Sequence, residues 1–284
     1  MANIQITCDS TCDLTADLYR QNAVEVVPLS IALGEESRLD GVNVTADELF
    51  EFVARTGTLP KTAGISLGEY EEVFRKYVDA GNQVIHINLS SELSVSHQNA
   101  RLAAEEVENV HVVDSRSLST GSGLLVLLAS EMARKGMDAP AIVAELNRKK
   151  QLLDVSFIIQ TLEYLHKGGR CSGVAAFGAN VLKLRPEIQV QDGKMVVGKK
   201  YRGDAEKSTL AYIRGRLEGR QDVDPELVFI THSGVDNALL EKAEALVKEL
   251  QPFKQVIVTR AGCTISSHCG PGCLGVLFFR KESE

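Results

Sequence analysis

Two hydroxyl-rich loops carry the chemistry that can be read first from this chain. Asn88-Leu89-Ser90-Ser91-Glu92-Leu93-Ser94-Val95-Ser96-His97 follows the apolar run Val84 to Leu89 and opens an alanine-rich helical pattern. A helix start leaves backbone N–H groups unpaired and carries about half a positive charge, so a carboxylate or phosphate can bind there without a Lys or Arg. Ser94 is the best-placed hydroxyl. N-capping by Ser94 or Ser91 accounts for the same hydroxyls without a ligand, since Ser favours that position. The second loop, Thr58-Leu59-Pro60-Lys61-Thr62-Ala63-Gly64-Ile65-Ser66, also stands before a helical pattern. Ser66 and Glu69 have capping-box spacing, which gives Ser66 a structural task at the start of Tyr70 to Ala80. Thr62 has no such task.

Arg170, Arg202 and His268 stand in glycine-bearing stretches read as turns. Arg offers a planar fork suited to phosphate or carboxylate, although a surface salt bridge explains either Arg, and a structural hydrogen bond explains His268, equally well. Asp9, Asp13, Asp114 and Asp236 fall at strand-to-helix turns, where helix capping is the commoner use and metal binding or base catalysis the rarer one. No catalytic residue is assigned.

Cys8 and Cys12, and Cys263, Cys269 and Cys273 around His268, raise the question of zinc. None of these pairs has the two-residue gap of structural zinc sites and strands are read on both sides of the C-terminal group, so buried thiols are the better reading and no metal is expected. Gly270-Pro271-Gly272-Cys273-Leu274-Gly275 has the spacing of a dinucleotide fingerprint, but the strand-like Val276 to Phe279 follows where a helix is required. No phosphate loop ending in Gly-Lys-Ser/Thr, nucleophile elbow or His-Glu-x-x-His helix is present, so the chain has no recognisable ATP site of its own and no cofactor is expected.

The elements that must position these groups alternate. Strands are read at Ile4 to Thr7, Val24 to Ile31, Val84 to Leu89 and Val110 to Val113. Helices are read near Thr15 to Gln21, Ala46 to Thr56, Val95 to Glu108 and Leu118 to Lys135, and from Asp138 to about Lys150. This predicts a parallel sheet flanked by helices. A second unit follows: strand Val155 to Ile159, a short helix to His166, a hairpin at Asp192-Gly193 and strands at Leu227 to Thr231, Val256 to Thr259 and Gly275 to Phe279. Its helices run near Asp204 to Glu218 and over Asn237 to Leu250. The expectation is an α/β protein of two domains, residues 1–150 with a parallel sheet and residues 151–284 with a mixed sheet, and a ligand cleft between them.

Composition bounds the function. The 284 residues suffice for two cores without disulfides or metal. With 31 basic against 38 acidic residues, a net charge of −7 and no basic run, nucleic acid is not an expected partner. No apolar run reaches the roughly 18 residues of a membrane span and the N-terminus lacks a signal core, so a cytoplasmic protein with no membrane span is expected. A phosphotransferase or hydrolase acting on a small anion is one reading of the site, with His268 or an Asp as base and Arg170 or Arg202 stabilising charge. A lipid-sensing regulatory module is another.

Taken in order, a set of short stretches resembles the DegV family of bacterial fatty-acid-binding proteins. They are Asp9-Ser10-Thr11-Cys12-Asp13-Leu14, Lys61-Thr62 with Ser66, Ser90 to Ser94, Asp114-Ser115, Thr161 to Leu165 with Gly168-Gly169-Arg170, and His268-Cys269-Gly270-Pro271-Gly272. The resemblance implies a long-chain fatty acid such as palmitate buried between two α/β domains, with its carboxylate at Thr62 and Ser94. It implies a lipid-binding protein rather than an enzyme, of the kind that presents its acid to an ATP-dependent fatty acid kinase subunit for acyl phosphate formation. Ser66, Ser91 and His268 would belong to the ligand site, and Arg170 and Arg202 would lie near the head group or meet the partner. Two stretches depart from the family pattern: Ala63-Gly64-Ile65 stands where Ser-Gln-Pro is usual, and Val95-Ser96-His97 where Gly-Thr-Tyr is usual. Phe177 and Leu182 are candidate liners of the tail cavity.

Overall fold

The computed structural model describes residues 3–171 and 184–282. The expectation for Phe177 and Leu182 falls outside the described residues. The first half runs β1 (Ile4–Asp9), α1 (Ala16–Gln21), β2 (Glu25–Val27), β3 (Ser30–Leu33), β4 (Glu36–Leu39), α2 (Ala46–Thr56), β5 (Lys61–Ala63), α3 (Leu67–Val78), β6 (Gln83–Asn88), α4 (Ser96–Glu106), β7 (Val110–Asp114), α5 (Ser119–Arg134) and α6 (Ala139–Lys149). The second half runs β8 (Leu153–Ile158), α7 (Glu163–Gly168), β9 (Leu184–Gln191), β10 (Lys194–Arg202), α8 (Ala205–Leu217), β11 (Val223–His232), α9 (Asn237–Leu250), β12 (Gln255–Arg260), α10 (Cys263–Cys269) and β13 (Leu274–Arg280).

The strands form a parallel sheet in the order β2-β1-β6-β7 and a mixed sheet in the order β10-β9-β8-β13-β11-β12, as the alternation predicts. A third, small antiparallel sheet, β4-β3-β5, was not legible. The run read as one strand from Val24 to Ile31 is two, broken at Pro28-Leu29: β2 joins the parallel sheet and β3 the small one. Proline has no N–H for a ladder, so the chain changes sheets there.

Local chemistry starts and stops the helices. Thr45 with Glu48 and Ser66 with Glu69 make complete capping boxes on α2 and α3. Asp138, Asp204 and Asp236 accept from the first turns of α6, α8 and α9. Asp192 and Gly193 both have positive φ, 49° and 81°, the geometry of a two-residue hairpin turn between β9 and β10.

The core is centred on α5. One apolar cluster runs from Ile6 and Ile87 of the parallel sheet through Leu124 and Leu125 of α5 to Val155, Phe229 and Leu277 of the mixed sheet. Three further clusters lie outside this sandwich: one under α3 and α4, around Phe74 and Val84, one under α8 and α9, around Tyr212 and Val247, and a small one of Ile31, Val44, Leu49 and Cys263. A helix buried on opposite sides by two sheets needs small residues at its closest approaches. A Cβ on Gly123 would stand 2.7 Å from Leu14 Cδ2 and 2.8 Å from the Cys12 carbonyl oxygen, and one on Gly121 would stand 2.6 Å from Val155 Cγ2. Gly123→Ala should therefore destabilise the protein by about 1–3 kcal/mol, because overpacking outweighs the roughly 1 kcal/mol by which Ala favours an open helix. Urea denaturation measures this directly, and a variant as stable as the parent would show that the helix can move away from Leu14.

Candidate functional site

Strand ends from both sheets converge on one cleft. Leu89 follows β6, Phe157 lies near the end of β8, Thr231 and His232 close β11, and Ala261 follows β12; all of them line it. Ligand crevices of open α/β sheets lie at such carboxyl ends. The walls are mostly apolar, with Leu29, Leu93, Leu118, Leu165, Met195 and Leu277 among them, around about 130 Å³ of room for the centre of a water-sized sphere. Thr62, Ser94, Arg170 and His268 line the same cleft, so the structure brings together four residues from widely separated stretches.

Thr62 and His268 meet directly: Thr62 Oγ1 lies 2.9 Å from His268 Nε2. Thr62 sits on β5, paired with Ile31 of β3. His268 sits in the last turn of α10, which corrects its reading as part of a glycine turn; β12 and β13 stand on either side of the C-terminal cysteines as read, with α10 between them. At only seven residues, α10 is too short to stand out by periodicity. The start of α10 is held by two aspartate carboxyl groups from the first half. Asp40 accepts from the N–H groups of Cys263 at 2.7 Å and Thr264 at 3.0 Å, and Asp13 from that of Gly262 at 2.8 Å. Asp13 also accepts from Ser119 Oγ at 2.6 Å. Burial pushes the Asp13 carboxyl up to about 8 in spite of these donors, and the charge of Asp40 adds to the effect.

Burial first, and the positive charge of Arg170 second, lower the His268 pKa to about 4. The ring is neutral at pH 7. Its Nδ1 is buried without a hydrogen-bond partner among the described residues, because Gly168 at the end of α7 packs directly on it. With the proton assigned to Nε2, the imidazole donates to Thr62 Oγ1, and the threonine keeps its own proton for a ligand.

Ser94 is arranged in the same sense. Its Oγ accepts from the Ser96 N–H at 3.1 Å and lies 2.9 Å from Ser96 Oγ. The helix itself begins at Ser96 with Val95 in the capping position and no side-chain cap there, so Ser94 stands just ahead of the first turn. Gly64 permits the two loops to touch, since a Cβ on it would lie 3.0 Å from Ser96 Oγ and 3.3 Å from Ser94 Oγ. This is what the Ala63-Gly64-Ile65 departure does in space. A carboxylate only accepts hydrogen bonds, so two hydroxyls whose acceptor side is already engaged are suited to it. Arg170 is exposed and its Nη1 donates to the Gly168 carbonyl at 2.8 Å.

Three other residues singled out in the sequence do not line this cleft. Ser66 caps α3, its Oγ 2.6 Å from Glu69. Ser91 donates to Asp114 at 2.6 Å. Arg202 is the exposed last residue of β10 rather than part of a turn. Of the four aspartates, Asp236 caps a helix as expected. Asp9 instead accepts from Tyr70 Oη at 2.7 Å and the Leu89 N–H at 2.9 Å, inside a fully buried group with His86 and Asn88 that pins the start of the serine loop. His232 was missed; its signal was a histidine at the carboxyl end of a strand that reads clearly. Burial, with Arg260 adding, lowers its pKa to about 4, and its Nδ1 accepts from the Gly234 and Val235 N–H groups.

Among the described residues no three potential metal ligands stand together. The two depressed histidines set a pH dependence. Each binds its proton in the unfolded chain near 6.5 but only near 4 in the folded one, so between these values the unfolded state holds more protons and stability rises with pH. Asp13, raised to about 8, acts in the opposite direction over the interval from 3.8 to 8. Stability lost between pH 6.5 and 4 should therefore be smaller in His268→Gln than in the parent chain, measured as urea midpoints at both pH values. Equal losses would show that His268 is not held neutral.

The DegV family profile, described as "Uncharacterised protein, DegV family", matches residues 3–281. A DegV domain-containing protein of Caldanaerobacter subterraneus subsp. tengcongensis is 32% identical over 284 residues, 99% of this chain and 100% of the relative. A DegV family protein of Thermus thermophilus, whose structure is described as showing fatty acid binding, superimposes with a TM-score of 0.87 at 32% identity, covering 98% of this chain and 99% of its own. A protein of Eubacterium ventriosum described as stearic acid-binding superimposes with a TM-score of 0.85 at 26% identity, covering 99% of both chains. These solved relatives are described as binding proteins rather than as enzymes. From the amino end of β1 to the end of β13, the chain belongs to the DegV family.

Proposed function

We propose that this protein binds a long-chain fatty acid such as palmitate, its tail in the apolar cleft and its carboxylate at the hydroxyls of Thr62 and Ser94, beneath the neutral His268. The observation that carries this reading is the pairing of Thr62 with His268 beside Ser94, at the polar part of a cleft that is otherwise lined by Leu, Phe and Met. It is a binding role rather than catalysis, set in the cytoplasm, with residues 1–150 and 151–284 as the two domains that enclose the ligand. The relatives described as fatty-acid-binding and stearic acid-binding support the ligand class. Transfer of the bound acid to an ATP-dependent kinase subunit, with Arg170 and Arg202 facing that partner, is part of the same proposal; both side chains are exposed.

Magnitudes divide the labour. About fourteen methylenes leaving water contribute roughly 0.8 kcal/mol each, near 11 kcal/mol before ordering costs, while one neutral hydrogen bond contributes about 1. The tail supplies affinity and the head group sets orientation. An enzyme acting on a small anion would need a compact polar pocket, and the apolar walls here disfavour it.

Mass spectrometry of the purified protein, native and then denatured and extracted, tests the ligand. A near-stoichiometric C14 to C18 acid is the expected result, and an empty protein that also refuses added palmitate would overturn the reading. Thr62→Ala and Ser94→Ala should each weaken palmitate binding by about fivefold, one hydrogen bond's worth, and reduce acyl phosphate formation by a supplied kinase subunit and ATP more strongly. If both variants bind and react like the parent, the carboxylate lies elsewhere.

A further inference from the structure

Next to the apolar cleft lies a polar one that shares none of its lining residues and whose positive charge is not balanced by its own walls. It encloses about 410 Å³ by the same measure, and its charged lining is Arg116, Lys150, Arg216 and Arg280 against Asp154 and Asp192. Two of the four cations are already engaged. Arg216 pairs with Asp154 and, at 3.2 Å, with Glu187, while Asp154 also holds Arg220 at 2.8 Å. Arg116 lies 3.1 Å from Glu92 and 3.8 Å from Asp114, and donates to the Asp192 carbonyl.

Lys150 and Arg280 are different. Among the described residues neither has a carboxylate within ion-pair distance. Lys150 Nζ donates to the Asp114 carbonyl at 3.0 Å and Asn147 Oδ1 at 2.7 Å, and Arg280 Nη2 to the Gln151 carbonyl at 2.7 Å. Asp222 feels the charge of Arg280 but is itself paired with Arg220 at 2.6 Å, and Asp192 stands on the exposed hairpin turn. Both cations are half-buried, where an unpaired charge is costly. Burial, with Arg116 adding, holds the Lys150 ammonium below its usual range against the pull of Asp114. An anion seated between Lys150 and Arg280 would relieve that cost.

We propose that this cleft is a second binding site, for a small soluble phosphate-bearing anion, with Lys150 and Arg280 as its principal ligands. Two uncompensated positive charges match a phosphate group, which carries about −1.5 to −2 at neutral pH, better than a single carboxylate. An ammonium and a guanidinium fork are the side chains that bind such oxyanions. The source is a soluble molecule rather than a bilayer surface, because the exposed large apolar residues Val42, Leu67, Val95 and Leu102 all lie off this cleft and give it no apolar rim. Such an anion would bridge the halves, since Lys150 closes the first and Arg280 ends the last strand of the second.

Isothermal titration of the full chain with inorganic phosphate at constant ionic strength tests this. One saturable site is expected, weakened by about tenfold or more in the Lys150→Gln/Arg280→Gln double variant. Gln191 is exposed on the rim of the cleft, so Gln191→Glu gives up only the solvent-exposed hydrogen bond from its Nε2 to Gln189 Oε1 at 2.8 Å, and the carboxylate it adds should weaken binding by about fivefold. A cooperative thermal melt checks that each variant is folded. Absence of saturable binding to the parent chain, or parental affinity in Gln191→Glu and the double variant, would overturn the site. Binding to phosphatidylglycerol vesicles that the double variant loses would overturn the soluble ligand.

Discussion

The structure depends on how closely α5 can approach its neighbours on two sides at once. Eleven of its residues are buried, from Ser119 to Met132, and the positions that face the tightest contacts are glycines. Because the helix lies between the parallel and the mixed sheet, its thickness sets the distance between the strand ends that line the apolar cleft. Strand pairing does not cross between the two halves in the described residues, so side-chain packing around this helix and side-chain hydrogen bonds, among them those of the carboxyl groups that hold α10 and that of Thr62 with His268, join them.

Those carboxyl groups link the core to the site. Asp13 and Asp40 belong to the first half, yet they satisfy the N–H groups that begin α10 in the second, and His268 lies at the far end of that helix. The position of the imidazole is therefore set by hydrogen bonds made a full short helix away. Desolvation then decides its charge. A buried ring beside Arg170 remains neutral, and a neutral donor can orient the Thr62 hydroxyl where an imidazolium would instead compete for the anion.

Long periodic segments were legible because their signals are local. The helix Asn237–Leu250 was read to the residue, the hairpin at Asp192-Gly193 follows from turn chemistry, and Ser66 with Glu69 forms the capping box that their spacing predicts. The short elements were not legible. Strands of three or four residues such as β4 and β5 carry no usable alternation, and α10 carries less than two and a half turns of helix pattern. Arg170 and His268 were singled out on local grounds that the structure only half supports, since one follows a helix and the other lies within one.

By itself the sequence determined the α/β alternation, the caps, the hairpin and the two hydroxyl loops, because each depends on residues within a few positions of one another. It also carried, in the order of its short stretches, the membership of the DegV family. Only the tertiary structure decided that Thr62 meets His268 across 206 residues of chain, that Gly64 lets the two loops touch, and that Ser66, Ser91 and Arg202 stand outside the cleft. It alone decided which charges lack an ion-pair partner among the described residues, as for Lys150 and Arg280. Burial and charge balance are properties of packed neighbours, and which neighbours pack is set by the distance between sheets rather than by spacing along the chain.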